Sequence, residues 1–372
     1  LQWERTPSWN AGIDFGFFRS RLTGTVDLYH KKTSDLLISR TLPASSGFGS
    51  VMLNQGSLSN KGLEVSLNGE IIHMKDWSWN IGANIGFNKS TIGDLGFDPA
   101  DFGDLKQVRG YLGNTIGDHF GVANIFLVDR APGLFFGYKT DGIVQEADLA
   151  DGKGVKYTAT DGSAKYYTKD PSSGSTFPHA GAVKYVDMNG DGVIDENDKT
   201  IIGDPNPDFT YGFQTRVTWK SLSFSASFNG VYGADRLNTN IRYNMTPSTN
   251  SGNITKEAFL NAWTAENHSN LYPSSTYLMP NGVVMDRYVE DASYLRCSDI
   301  TVNYILPKLW TNKIGFENIS VFASLKNAFV ITSYSGYDPE VNSFAFDGLR
   351  PGIDMSPYPN ARSYVFGLNV TF

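Results

Sequence analysis

The stretch that decides the fold is SYVFGLNVTF, Ser363–Phe372. Large apolar side chains occupy every second position: Tyr364, Phe366, Leu368, Val370 and Phe372. The residues between them are Val365, Gly367, Asn369 and Thr371. Because side chains of a strand alternate between the two faces of a sheet, the pattern predicts a strand with one apolar face. An apolar face that ends in an aromatic residue is typical of a strand in contact with lipid.

The same alternation recurs in segments of about ten residues, as in strands of an outer-membrane barrel. Trp77–Asn88 (WSWNIGANIGFN) is the clearest, with Trp, Ile, Ala and Phe on one face and Ser, Asn and Gly on the other. Trp77 and Trp219 lie beside tight turns, where an interfacial girdle is expected. A register break near Cys297 predicts a β-bulge. About ten spanning strands are predicted, at 11–18, 25–29, 63–71, 77–88, 133–142, 209–219, 222–229, 294–305, 319–326 and 363–372.

The connections between the predicted strands differ in length at the two ends of the predicted sheet. Tight turns lie at one end, and long connections lie at the other, at 33–56, 91–132, 141–207, 235–287 and 330–360. Short periplasmic turns and long extracellular loops are typical of outer-membrane barrels. Small Ser, Asn, Gly and Thr side chains on the polar faces predict a wide lumen that holds water or a plug. Residues 1–372 are therefore interpreted as the C-terminal part of a larger transmembrane antiparallel β-barrel, without its plug and first strands. A secreted all-β protein with one solvated face is the alternative.

The composition and charge of the chain argue against several classes of protein. The net charge is −7 and the isoelectric point is about 5.3, which argues against nucleic acid as a partner. There is no run of 18 apolar residues, so no transmembrane helix is predicted. The single Cys297 excludes a disulfide within the chain. No export signal is visible at Leu1, which for a barrel indicates that the start is missing.

A calcium-type loop is predicted at Asp187–Asp198, DMNGDGVIDEND, within the long acidic connection 141–207. That connection holds 12 acidic and 6 basic residues, and a divalent cation would relieve the repulsion. Gly192 at position six permits the sharp turn. The expected ligands at positions 1, 3, 5, 7, 9 and 12 are Asp187, Asn189, Asp191, the carbonyl of Val193, Asp195 and Asp198. Asp198 departs from the usual Glu at position twelve, and the flanks do not predict helices, so the loop is interpreted as a structural clamp and not a sensor.

No catalytic pattern is found, and the chain is predicted not to be an enzyme. The five histidines have no paired spacing, and no nucleophile elbow, phosphate-binding loop or CxxC motif occurs. Loop aromatics such as Tyr166, Tyr167, Tyr334 and Tyr337 either stack on sugar rings or pack the loops together. The substrate-contacting residues are therefore not assigned from the sequence.

Several motifs resemble the SusC/RagA family of TonB-dependent outer-membrane transporters. The longest is KYVDMNGDGVIDENDKTIIGDPNPDFTYGF, Lys184–Phe213, in which the acidic loop leads into a barrel strand. Others follow in the same order as in the family: SSGFGSVMLNQGSLSNKGLEVSL (Ser45–Leu67), FFGYKTDGIVQ (Phe135–Gln145), DRYVEDASYLR (Asp286–Arg296), YSGYDPEVN (Tyr334–Asn342) and YPNARSYVFGLNVTF (Tyr358–Phe372). Cys297 stands where the family usually has an apolar residue.

The resemblance implies a plugged 22-stranded barrel in the outer membrane of a Gram-negative bacterium. It implies a TonB box outside these residues and a SusD-like surface lipoprotein that closes over the extracellular mouth. The substrates implied are oligosaccharides or peptides, and nothing in the sequence chooses between them. Active import of nutrient oligomers is thus the leading hypothesis. A passive porin is the runner-up, and a secreted calcium-dependent glycan-binding β-sandwich is the third alternative.

Overall fold

The computed structural model describes residues 2–41, 45, 47–96, 110–171, 178–245 and 253–372. Parts of the predicted long connections lie outside the described residues, at 42–44, 46, 97–109, 172–177 and 246–252. Within the described part of the chain, no helix is long and apolar enough to cross a bilayer.

The structure is built mainly from β-strands. In chain order the strands are β1 (Ser8–Phe17), β2 (Leu22–Ser34), β3 (Leu37–Thr41), β4 (Ser50–Asn54), β5 (Ser57–His73), β6 (Trp77–Asp94), β7 (Tyr111–Leu112), β8 (Asn124–Phe126), β9 (Leu134–Gly137), β10 (Thr140–Ile143), β11 (Val155–Thr158), β12 (Ala164–Tyr167), β13 (Val183–Tyr185), β14 (Thr200–Gly203), β15 (Phe209–Trp219), β16 (Leu222–Tyr232), β17 (Asp235–Asn238), β18 (Val289–Asp291), β19 (Tyr294–Ile305), β20 (Asn318–Thr332), β21 (Ile353–Asp354) and β22 (Ser363–Thr371). The α-helices are α1 (Glu146–Leu149), α2 (Asn240–Met245), α3 (Lys256–Asn261) and α4 (Lys308–Thr311), and single 3-10 turns occupy Glu196–Asp198, Asp286–Tyr288 and Asn312–Ile314.

Nine long strands form one antiparallel sheet, in the order β1-β2-β5-β6-β15-β16-β19-β20-β22. This sheet is called here the wall. Short turns at 18–21, 74–76 and 220–221 join three of the hairpins at one end of the sheet, called here the turn end. The fourth connection at this end, residues 306–317, is longer because it holds α4. The connections 35–56, 95–208, 233–293 and 333–362 all lie at the opposite end, called the loop end. The predicted separation of short and long connections is confirmed.

The register places the apolar residues of neighbouring strands side by side. One row joins six adjacent strands across the sheet: Trp79, Val217, Phe224, Val302, Ala323 and Phe366. Phe213 and Phe224 remain about 40% exposed in this face. An apolar face that no other part of the described chain covers fits lipid contact, whereas a soluble sandwich would bury it.

Aromatic rings mark both edges of the apolar face. At the turn end, Trp77 stacks on Trp219 with ring centroids 5.8 Å apart. At the loop end, Phe209 lies 5.6 Å from Phe87 and 5.0 Å from Tyr232. The ten steps along the strand from Trp77 to Phe87 cover about 33 Å, or about 25 Å along the membrane normal at a tilt near 40°. This height matches the apolar band of an outer-membrane barrel.

One predicted spanning strand is wrong. Residues 133–142 form the short strands β9 and β10, and β9 pairs with β14 and β8 in a separate four-stranded sheet. All four residues of β9 are buried, so both of its faces pack on protein. A spanning strand there would also send connection 141–207 to the turn end, because consecutive strands of the ladder run in opposite directions. The other nine predicted strands are present, and the bulge predicted near Cys297 lies between Cys297 and Asp299.

The main hydrophobic core lies among the connections of the loop end. It contains aromatic and aliphatic side chains from distant parts of the sequence, including Phe120, Tyr185, Leu237, Tyr288 and Ile353. The small sheets β14-β9-β8-β7 and β18-β17-β21 form the frame around this core. The long connections therefore fold together as a packed unit, called here the loop block.

Candidate functional site

The calcium-type loop lies in the loop block, between two short strands. β13 leads into Asp187, a 3-10 turn at Glu196–Asp198 ends the loop, and β14 follows. Side-chain oxygens of Asn189 and Asp191 accept hydrogen bonds from backbone N–H groups two residues further on, at 2.9 Å each. These Asx turns arise because short polar side chains bond readily to nearby backbone. The expectation that no long helices flank this loop is confirmed.

Asp187 and Asp198 hold the two ends of the loop together. Asp187 accepts hydrogen bonds from the N–H groups of Gly190 and Gly192, the latter at 2.7 Å. Asp198 accepts from the N–H groups of Met188 at 2.8 Å and Asp195 at 2.8 Å. Both carboxylates are buried, and neither forms a salt bridge within the described residues. The first and twelfth positions of the predicted loop are thus brought into one buried acidic centre.

The electrostatics of this centre fit a cation. Burial, helped by the nearby charge of Asp187 and opposed by backbone hydrogen bonds, raises the pKa of Asp198 to about 6. Burial also raises the pKa of Tyr157 to about 12, with the charge of Asp187 as the next cause. An ionised carboxylate has about four acceptor sites, so its bonds to N–H groups leave capacity for a metal ion. Hard oxygen donors of this kind suit Ca²⁺.

The remaining predicted ligands lie further out. Asn189 donates to Asp191 at 3.0 Å, and Asp195 caps the 3-10 turn by accepting from the N–H of Asn197 at 2.8 Å. The backbone of Val193 pairs with Lys169 in an isolated bridge. In the described part of the chain, no three His, Cys, Asp or Glu side chains converge as a ready-made metal site. The predicted donors therefore lie in one loop but turn toward its own backbone.

The loop aromatics divide into packing residues and surface residues. Tyr167 is fully buried and its hydroxyl accepts a hydrogen bond from the N–H of Tyr185 at 3.2 Å, and Tyr334 is buried and donates to Asp354 at 2.6 Å. Tyr166 binds Asp151 at 2.6 Å, and Tyr337 is 67% exposed. Packing is thus the role of Tyr167 and Tyr334, while the ring of Tyr337 remains accessible.

An ion-pair cluster that sequence reasoning missed joins the loop block to the sheet. Arg296 in β19 binds Asp338 at 2.7 Å and Glu340 at 3.0 Å. Tyr294 donates to Glu340 at 2.6 Å, and the Arg296 guanidinium lies 5.6 Å from the Tyr294 ring. Both partners belong to the motif Tyr334–Asn342, and the only signal in the sequence was the acidic pair in that motif. This cluster fixes the connection 333–362 to the polar face of the sheet, which lies opposite the apolar face and is called here the inner face.

The inner face of the sheet is polar and hydrogen-bonded. Asp299 accepts from Ser324 and Thr301 at 2.7 Å each, and Thr25 and Ser66 lie 2.7 Å apart. Such small side chains leave room beside the wall and present hydroxyl and carboxylate groups to water. The face can therefore line an aqueous lumen.

Comparison with known proteins agrees with this architecture. Residues 1–189 match the family described as TonB dependent receptor-like, beta-barrel. The whole chain is 32% identical to TonB-dependent receptor P3 of Formosa agariphila and 31% identical to TonB-dependent receptor SusC of Bacteroides thetaiotaomicron. It spans about a third of these relatives, 34% and 32% of their lengths.

Solved structures show the same fold. A structure of the RagAB peptide importer in its closed-closed state aligns with all of this chain at 25% identity and a TM-score of 0.75, over 36% of that protein. The nine-stranded wall, the apolar outer face and the ordered loop block all fit this similarity. The chain therefore belongs to the TonB-dependent receptor-like β-barrel family, and within it to the SusC/RagA type.

Proposed function

We propose that this chain forms part of an outer-membrane transporter that imports nutrient oligomers in a TonB-dependent manner. The observation that carries the proposal is the loop block, a packed core built from connections at one end of a lipid-facing wall. A simple diffusion pore does not need so large a folded structure beside its mouth. Family membership adds support, since relatives of the same type carry the name TonB-dependent receptor.

The proposed substrates are oligosaccharides or peptides. The polar inner face offers hydroxyl, amide and carboxylate groups, which hydrogen-bond equally well to sugars and to peptide backbones. The relatives named SusC and RagAB support the general class, and the RagAB title names a peptide importer. Of the four loop tyrosines named above, Tyr337 has the most exposed ring and is available for stacking on a substrate.

The proposed partners are a SusD-like surface lipoprotein and the TonB complex. The lipoprotein would lie over the loop block, which is the surface that faces outward in a barrel of this orientation. The TonB complex would act through parts of the transporter outside residues 1–372. Affinity purification of the whole transporter from outer membranes should recover a lipoprotein partner in near-equal amount. Recovery of the transporter alone under mild detergent would contradict the partner assignment.

Transport itself is tested by uptake of labelled oligomers in cells that express the whole transporter. Deletion of TonB, or collapse of the proton-motive force, is expected to abolish uptake while leaving ligand binding at the cell surface intact. A passive porin, the second candidate function, would continue to conduct small solutes under both treatments. Uptake that is independent of TonB would therefore favour the porin.

We also propose that Asp187–Asp198 binds Ca²⁺ as a structural clamp in the loop block. Asp187 and Asp198 would hold the ion, with Asn189, Asp191, Asp195 and the Val193 carbonyl as further oxygen donors. Removal of Ca²⁺ by chelation is expected to increase protease cleavage between residues 141 and 207. The Asp187→Asn/Asp198→Asn variant should cleave equally fast with and without the chelator. If chelation leaves cleavage of the native protein unchanged, the clamp is absent.

A further inference from the structure

A row of basic residues crosses three adjacent strands near the loop end of the sheet. His30 on β2 lies opposite Lys61 on β5, and Lys61 lies opposite Lys89 on β6. One step further toward the loops, Lys32 lies opposite Ser59. This group of residues, His30, Lys32, Lys61 and Lys89, is called here the basic row.

The basic row lies on the outer, lipid-facing side of the sheet. Strand side chains two residues apart share a face, so Lys61 follows Leu63 and Lys89 follows Phe87 on the apolar side. The ring of His30 contacts Trp9 edge-on at 6.4 Å, which confirms that these two side chains share that face. Both Lys61 and Lys89 are exposed. Their charges therefore point away from the lumen.

The positive charges of the row form no ion pair within the described residues, although Asp129, Asp204 and Asp208 line the same pocket as Lys61 and Lys89. Lys61 and Lys89 form a directly opposed cross-strand pair, an arrangement that is destabilising for like charges. No carboxylate lies within 4.0 Å of either ammonium group in the described residues. Ser59 is hydrogen-bonded to His30 at 3.0 Å, which places a hydroxyl beside the lysines. An anion between these side chains would remove the repulsion.

The position of the basic row along the membrane normal indicates which anions are available to bind it. The aromatic edge formed by Phe87, Phe209 and Tyr232 marks the end of the apolar band. Lys89 is two residues beyond Phe87, which is about 7 Å along the strand and about 5 Å along the membrane normal. This is the level of lipid headgroups, and long loops of such barrels face the outside. The available anions there are the phosphate groups of outer-leaflet lipids.

We propose that the basic row binds the phosphate group of a phosphorylated lipid of the outer leaflet. Lysine ammonium groups bind phosphate as compact point charges, and the Ser59 hydroxyl adds a hydrogen-bond donor. The apolar residues below the row, including Leu63 and Phe87, would contact the acyl chains of the same lipid. The wall thus holds an annular lipid at a defined place, in addition to its role in transport.

The test uses the whole transporter in detergent, titrated with lipid A and with chemically dephosphorylated lipid A. Bound lipid is counted by native mass spectrometry. The variant is Lys61→Gln/Lys89→Gln, and the control is Lys31→Gln, which removes one positive charge, against two in the variant, from the opposite face at the same height. Each lysine near a charged lipid surface contributes roughly a fivefold change in affinity, so the double variant should bind phosphorylated lipid A about 25-fold more weakly. Lys31→Gln should bind within twofold of the native protein.

A second measurement separates binding from folding. Without phosphorylated lipid, Lys89→Gln should unfold at the same or a slightly higher temperature, because the repulsion from Lys61 is removed. With lipid A present, the native protein should gain thermal stability and the double variant should gain none. Three results would overturn the proposal: equal affinity for dephosphorylated lipid A, an affinity of the double variant within threefold of native, or displacement of the lipid by millimolar inorganic phosphate. The last result would identify a site for free anions instead.

Discussion

Replacement of Arg296 by Met should release the connection 333–362 from the wall. Arg296 is buried at the loop end of β19, where it binds Asp338 at 2.7 Å and Glu340 at 3.0 Å. Asp338 is also buried. Removal of the guanidinium leaves a buried carboxylate without its cation, which typically costs about 3–5 kcal/mol.

The structure places the cost near the lower limit of that range. Asp338 keeps two other donors, the N–H of Glu340 at 2.9 Å and the side chain of Asn360. A cost of about 3 kcal/mol raises the population of the open connection about 150-fold, because about 1.4 kcal/mol is a factor of ten. Hydrogen exchange of the Glu340 and Val341 amides, both of which bond to Asp338, should accelerate by that factor.

Two further variants separate charge from packing. Arg216→Met removes an inner-face arginine that has no salt bridge in the described residues, and exchange at Glu340 should stay within twofold of native. Arg296→Met/Asp338→Asn removes both charges, so much of the lost protection should return. Unchanged exchange in Arg296→Met would refute the tether, and so would equal acceleration in Arg216→Met.

Three other changes test the wall and the loop. Phe213→Arg places a charge midway in the apolar band and should lower the free energy of unfolding in vesicles by about 2–4 kcal/mol, whereas Gln214→Arg on the inner face should cost under about 1 kcal/mol. Gly192→Ala, at φ 85°, should cost the calcium-type loop about 1–2 kcal/mol and weaken Ca²⁺ binding in calorimetric titration. Gly62→Ala should displace the Tyr29 ring that covers it and lower the melting temperature, with an overpacking cost of about 1–3 kcal/mol.

Each of these has a contradicting result. Equal costs for Phe213→Arg and Gln214→Arg would mean that the two faces of β15 do not contact lipid on one side and water on the other. Native Ca²⁺ affinity in Gly192→Ala would mean that the turn is not part of the ion's binding site. An unchanged melting temperature in Gly62→Ala would mean that Tyr29 moves aside at no cost.

The wall was predictable because its signal is local. Alternation of apolar and polar residues depends on neighbours two positions apart, so nine strands and the bulge near Cys297 followed from the sequence. The segment 133–142 was mistaken for a spanning strand because its apolar run gives no information on which partner covers it. β9 is buried on both faces by strands and loops from distant parts of the chain. The spacing of apolar residues in a sequence cannot show whether lipid or protein covers the apolar side chains of a strand.

The site was predictable only in part. The spacing of Asp187–Asp198 identified the acidic loop, and its Gly192 at position six has the positive φ expected there. The meeting of Asp187 with Asp198 followed from that spacing, but the turn of Asn189 and Asp191 toward the backbone did not. The contact of Arg296 with Asp338 spans 42 residues and depends on how the connection folds back, for which the sequence has no local signal.

The central claim is that apolar side chains of the wall touch lipid while the alternate residues face an aqueous lumen. The most direct test is a cysteine scan of β15, Phe209–Trp219, in a Cys297→Ser background of the whole transporter in nanodiscs. Thr210, Gly212, Gln214, Arg216 and Thr218 should react with a water-soluble maleimide, and probes at the intervening positions should be quenched by spin-labelled lipid. Labelling without a period of two, or quenching on the Gln214 face, would contradict the account.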